Sequence, residues 1–220
     1  MNTIPLKNRY SFGEEVANSI THGIGAVLAI AGLAILVALA TLRGDVWHIV
    51  SCSVYGATLV FMYVASTLYH SAQVPQAKSV LRIIDHCAIF VLIAGTYTPF
   101  TLVNLRGTLG WSLFGGVWGV ALLGVVLECC FRGKGRTGSL ILYVVMGWSM
   151  VAAVKPMFDA VPAGGLILLL LGGLCYTGGI GFYVWRKLPY HHAYWHLFVL
   201  AGSVFHFFAV LFFVIPAPAT

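Results

Sequence analysis

Charge is what this sequence lacks. Only 8% of its 220 residues are Asp, Glu, Lys or Arg, and 60% are hydrophobic. Soluble domains carry about 25% charged residues. A chain so short of charge cannot cover a globule with polar surface. That excludes an ordinary cytosolic domain, a disordered tail and a nucleic-acid binder. The five cysteines, Cys52, Cys87, Cys129, Cys130 and Cys175, include no Cys-x-x-Cys pair. Neither a zinc ribbon nor a disulfide framework is indicated, and all five read as small buried hydrophobes. No strand precedes the glycine clusters, so they are not phosphate loops. Gly115-x-x-x-Gly119 and the glycines from Gly172 to Gly181 read instead as close helix contacts.

What the sequence has is long apolar runs. A membrane-spanning helix needs about 20 mostly apolar residues. Seven runs qualify: Ala17–Leu42, Val46–Tyr69, Ile83–Leu105, Leu109–Phe131, Ser139–Val154, Gly164–Trp185 and His192–Ile215. The fifth is short and is expected to stop at Pro156. Pro99 is expected to kink the third. The connections are brief, so residues 1–220 read as one all-α, seven-helix membrane domain, with 1–15 as a short leading segment. No convincing cleavable signal peptide opens the chain, because the first apolar run exceeds an h-region of about 7–15 residues.

Basic residues orient the bundle. Lys7, Arg9, Lys78, Arg82, Arg132, Lys134, Arg136, Arg186 and Lys187 flank one side, nine in all, against Arg43, Arg106 and Lys155 on the other. The positive-inside rule then places the N-terminus in the cytoplasm and the C-terminus outside.

Ionisable residues inside a membrane are costly and mark function. The topology brings three groups of them to one depth. The second run ends in Ser66-x-x-x-His70, the third begins near Asp85-His86, and the seventh begins with His191-His192-Ala193-Tyr194-Trp195-His196. His192 and His196 are i,i+4, on one helix face with Cβ atoms about 5–6 Å apart. Such a pair can grip one metal ion, and His70 can add a third nitrogen. Three protein ligands leave a position for water or substrate, as in catalytic zinc sites. Ser66 shares the His70 face. Asp85 can orient a ligand or take a hydrogen bond from water at the metal, and His86 is the alternative inward-facing member of that pair. The competing reading is a chance histidine pair near the headgroups. His191, at i+5 from His196, turns away. His206 lies about 15 Å deeper at 1.5 Å per residue and reads as a packed, hydrogen-bonded core histidine.

The first helix carries its own polar set. Ser11 and Glu14 fit a capping box. Glu15, Asn18 and His22 follow along one stripe, where they can line the same cytoplasmic cavity or hydrogen-bond to other helices; the structural reading comes first. Glu128 reads as snorkelling or pairing with Arg132.

Together these motifs resemble the progestin and adiponectin receptor family, in particular its bacterial branch, the hemolysin III-related inner-membrane proteins. The matching stretches are Gly13–Gly25, Ala65–Ser71, Asp85–Phe100 and His192–Phe207. The resemblance implies zinc held by His70, His192 and His196, with Asp85 beside the water at the metal and Ser66 nearby. The related alkaline ceramidases hydrolyse a lipid amide with a similar constellation. It also implies a cytoplasmic N-terminus. The long N-terminal region and extended tail of the animal receptors have no counterpart here, so no protein hormone is expected. The leading functional expectation is a zinc-dependent hydrolase acting on a membrane-lipid amide or ester and contributing to lipid homeostasis. The alternatives are a non-enzymatic sensor of membrane state with a structural zinc and, last, a cytolysin. An apolar cavity beside an open coordination position favours the hydrolase, whereas a fourth protein ligand without a cavity favours the sensor. The sequence carries no sign of oligomeric state.

Overall fold

The computed structural model describes residues 10–131 and 136–216. No strand occurs among them. The helices are α1 (Phe12–Arg43), α2 (Val46–Ser71), α3 (Pro75–Pro99), α4 (Thr108–Phe131), α5 (Arg136–Trp148), α6 (Val154–Ala160), α7 (Ala163–Val184) and α8 (His191–Phe213). A π-helical turn, Phe100–Asn104, extends α3, and a 3₁₀ turn, Ser149–Ala153, joins α5 to α6. These form seven spans long and apolar enough to cross a membrane, the fifth running Thr137–Ala160. The chain is a multi-pass membrane protein.

Local chemistry sets the helix ends, and three differ from expectation. The first span begins at Phe12, before the apolar run, because Ser11 and Glu14 close the capping box. The Ser11 N–H donates to Glu14 Oε2 at 2.8 Å and the Glu14 N–H to Ser11 Oγ at 3.3 Å. The third span begins at Pro75 rather than Ile83, since proline at the first helical position loses no intrahelical bond. The early start puts Glu15 and Lys78 on helices. The fifth span does not stop at Pro156. The proline falls in the first turn of α6, where its missing N–H has no intrahelical acceptor, and the helix continues to Ala160. At Pro99 the regular ladder gives way to the π turn, in which the Leu105 N–H donates to the Phe100 carbonyl at 2.9 Å.

Helix α2 packs along α1 on one side and α3 on the other, α3 along α4, and α7 along α8, with α1 closing against α8. Helix α5 touches α3, α4 and α7 only lightly. The apolar core sits between α1, α2 and α8, around Leu36, Ala40, Cys52, Ala209 and Val210. Gly95 admits α2 at close range, since a Cβ there would collide with the Thr58 side chain. Gly172 likewise makes room for the His206 ring, and Gly179 for Phe198 and Trp195. The same reading fails at Gly115 and Gly119. Neither has a neighbour within 4 Å where a side chain would go, so that stripe faces outward.

Other polar and sulfur positions also correct the sequence reading. Only Cys52 and Cys87 are buried in protein, Cys175 is intermediate, and Cys129 and Cys130 are exposed. An apolar thiol facing the bilayer needs no protein around it. Glu128 is buried and accepts a hydrogen bond from Ser139 Oγ at 2.8 Å. Its expected partner Arg132 lies outside the described residues, as do Lys7, Arg9 and Lys134. At the end of the bundle formed by the start of α2, Asp45 caps Trp47 and His48. The hydrogen bond from the His48 ring, 2.7 Å long, leads in holding its carboxyl below the usual range. Arg106 stacks over Trp47 beside it, 4.6 Å from the ring centre, as suits a membrane–water interface.

Candidate metal centre

The end of α2 and the start of α8 meet against the start of α1. There His70, His192 and His196, all buried, bring one ring nitrogen each to within 4.8 Å of one another. Their ring centres are 4.5 to 5.1 Å apart. The i,i+4 spacing on α8 supplies two of these rings, and the last turn of α2 supplies the third.

The hydrogen bonds fix two of the tautomers. His70 Nδ1 lies 2.7 Å from Glu15 Oε2. A carboxylate only accepts, so Nδ1 carries the proton and Nε2 keeps a lone pair. The Asn18 amide, 3.4 Å from the same nitrogen, is the weaker contact. His196 Nδ1 lies 3.1 Å from the Asn18 carbonyl and 3.2 Å from Thr21 Oγ1. The carbonyl must accept, so His196 also carries its proton on Nδ1. Histidine metal ligands are held in this way, one nitrogen donating to a protein acceptor and the other free for the ion. His70 Nε2 is buried and has no hydrogen-bond partner among the described residues. A buried polar atom without a partner asks for a ligand. Three converging imidazoles, oriented and buried, fit zinc by donor type and number.

Helix α1 is the frame that does this orienting, its Glu15 and Asn18 bonding other helices as the stripe allowed. Glu15 joins His70 to Lys78, whose ammonium is 2.8 Å from Glu15 Oε1. Thr21, on the same face of α1, adds a contact to His196 that the polar stripe does not signal. The signal for the frame itself was the stripe Glu15, Asn18, His22, an expensive set to place at the head of an apolar helix. Tyr10, also unsuspected, closes the site from the N-terminal side, its ring stacked on His192 with centres 5.0 Å apart. Glu14 ties this end together a second time by accepting the Tyr190 N–H at 3.1 Å.

The remaining candidates fall into two groups. Asp85 and Ser66 line a cavity of about 160 Å³ together with His192, His196 and His22. Asp85 is not one of the clustered donors, and His86 lines the same cavity while its Nδ1 donates to the Arg82 carbonyl at 2.6 Å. His191 and His206 stand apart from the cluster. His191 Nδ1 bonds the Phe182 carbonyl at 3.1 Å, and His206 Nε2 bonds that of Leu169, also at 3.1 Å.

The cavity does not end at the histidines. A second cavity of about 420 Å³ shares Thr96, Tyr97, Gly147, Trp148, Gly173 and His206 with the first. Val151, Val154, Phe158 and Ile167 line it and are themselves exposed on the outer surface of the bundle. The two cavities thus adjoin along the end of α5, and the second is bordered by side chains on the outer surface of the bundle.

A family model described as Haemolysin-III related matches residues 10–207. The Hemolysin-3 homolog of Bacillus subtilis (strain 168) is 47% identical over 209 residues, covering 95% of this chain and 98% of that protein. Hemolysin-3 of Bacillus cereus is 46% identical over 203 residues, with 92% and 93% covered. The human monocyte to macrophage differentiation factor is a more distant likeness, 30% identical over 224 residues, with 97% and 91% covered. Matched over nearly its whole length, and carrying its buried histidines inside that match, the chain belongs to the haemolysin-III related family.

Proposed function

We propose that this protein is a zinc-dependent hydrolase of the bacterial inner membrane that cleaves an amide or ester of a membrane lipid and so contributes to lipid homeostasis. One observation carries the reading: His192 and His196 of the three-histidine cluster line an apolar cavity that Asp85 and Ser66 also line, and a second apolar cavity shares part of its wall. His70, His192 and His196 are the ligands, and no fourth donor joins them among the described residues. The chemistry a zinc ion supplies when bound is polarisation of a carbonyl and a lowered pKa for water. Asp85 accepts the proton of the attacking water and returns it to the leaving group. Ser66 hydrogen-bonds the acyl carbonyl. The second cavity falls within the ~300–1,000 Å³ of small-molecule sites and receives an acyl chain sideways from the bilayer. The basic-residue asymmetry supports a cytoplasmic N-terminus and an external C-terminus. No protein hormone enters this scheme.

The test pairs zinc content with turnover. Purified protein is offered long-chain N-acyl amides and esters, and free fatty acid is measured by mass spectrometry. Wild type releases fatty acid. Asp85→Asn keeps its zinc and fold but loses about 10²–10⁴-fold in rate, the usual contribution of a general base. A zinc-loaded Asp85→Asn protein with full function sinks the hydrolase and leaves zinc as a pin between helices in a membrane-state sensor.

A further inference from the structure

Every polar side chain on the α1 stripe but one bonds a neighbour on another helix. Glu15 holds His70 and Lys78, the Asn18 carbonyl and Thr21 hold His196, and the Asn18 amide leans on His70. His22 is the exception. It is 3% exposed, and neither of its ring nitrogens has a hydrogen-bond partner among the described residues. Its ring lies flat on that of His196, centres 3.4 Å apart and planes 10° apart, and meets the Tyr63 ring edge-on. The stack fixes the plane of the imidazole without using its nitrogens. His22 also lines the cavity that holds Ser66, whose buried hydroxyl likewise has no partner among the described residues. Two unsatisfied buried polar groups lining one cavity are costly unless something fills them.

We propose that His22 is a substrate-contacting residue: its ring N–H, with the Ser66 hydroxyl, donates a hydrogen bond to the acyl carbonyl oxygen of the bound lipid. This rests on the lipid-hydrolase reading above. A neutral imidazole always carries one N–H, so the donor is present without any change of protonation. The stack on His196 places that donor beside a ligand ring, where charge develops on the carbonyl oxygen during attack. A donor already fixed in a buried site stabilises that charge without reorganisation. The second nitrogen, a lone pair, suits the N–H of an amide substrate or a bridging water.

The test uses a long-chain fatty amide labelled with ¹³C at the carbonyl, bound to the purified zinc-loaded protein and read by infrared difference spectroscopy. In wild type the labelled carbonyl stretch is expected to lie below its frequency in empty detergent micelles. His22→Phe keeps a flat ring against His196 and removes both nitrogens. It should keep zinc, raise the carbonyl frequency of the bound amide, and lower kcat by about 10²–10³-fold with little change in KM, the loss typical of one such donor. His22→Gln restores an N–H donor and should recover part of the shift, which covers the case in which the phenylalanine variant fails to fold. Ser66→Ala should move the band in the same direction. A bound amide whose carbonyl band is the same in wild type and in folded, zinc-loaded His22 variants overturns this inference alone. A wild-type protein that takes up zinc but no fatty amide overturns the lipid-hydrolase reading, and this one with it.

Discussion

Removing the Glu15 carboxylate is expected to loosen the metal centre without touching a ligand. The carboxylate sits 2.7 Å from His70 Nδ1 and 2.8 Å from the Lys78 ammonium, largely shielded from solvent. In Glu15→Ala the His70 N–H loses its acceptor. The ring is then free to turn, or to carry its proton on Nε2, and zinc must reverse either change in order to bind. Losing such an outer partner costs about 10–100-fold in metal affinity. At ~1.4 kcal/mol per factor of ten this is about 1.4–2.8 kcal/mol. An independent route gives the same size, since a buried donor left unsatisfied costs about 1–3 kcal/mol. In Glu15→Gln the amide oxygen still accepts from Nδ1 but the charge facing Lys78 is gone, so the loss should sit near the lower end. The assay is competition for zinc against a fluorescent chelator in detergent, with thermal unfolding run alongside. A folded Glu15→Ala protein with wild-type zinc affinity would show that this hydrogen bond does not orient the ligand.

Three further outcomes are expected. Metal analysis of the purified protein should find about one zinc per chain. His70→Ala, His192→Ala and His196→Ala should each lower it sharply while His206→Ala leaves it nearly intact, and equal loss at His206 would mean the ligand set is wrong. A reporter fused after Thr220 should be active outside the cytoplasm, and one inserted between residues 132 and 136 inside; the same compartment for both contradicts the orientation. Gly95→Ala should destabilise the bundle by about 1–3 kcal/mol through overpacking against Thr58, seen as a lower unfolding midpoint in detergent. An unchanged midpoint would mean α2 and α3 can part there at no cost.

The spans were legible because scarcity of charge and run length suffice to find them. Their ends were not. Pro156 looks like a stop unless the chain is known to re-enter a helix just before it, and Pro75 looks like a turn residue although it starts a helix. The meeting of His70 with His192 and His196 could be read from an i,i+4 pair and a common depth. The partners of these histidines could not. Glu15 reaches His70 across 55 positions, and the Asn18 carbonyl reaches His196 across 178. No spacing rule survives that separation, and the neighbouring Glu14 already offered a sufficient local role in the capping box. Gly115 and Gly119 show a different limit. Periodicity identifies a stripe, but in a membrane it does not say whether protein or lipid lies against it.

The separation of the metal-site residues along the chain also bears on how the protein is made. Synthesis runs from the N-terminus, so the orienting groups on α1 enter the membrane first, His70 next, and the pair on α8 last. Glu15 can engage His70 once two helices have been inserted. The cluster of three imidazoles exists only after the seventh span has docked against the first. If the cluster takes a metal as proposed, high-affinity uptake would have to wait for the finished bundle and would favour the assembled form over any partly inserted one. A chain truncated before His191 would keep the α1 frame and His70 but lack the other two imidazoles, so under the proposed zinc site, occupancy would report that the seventh span has docked.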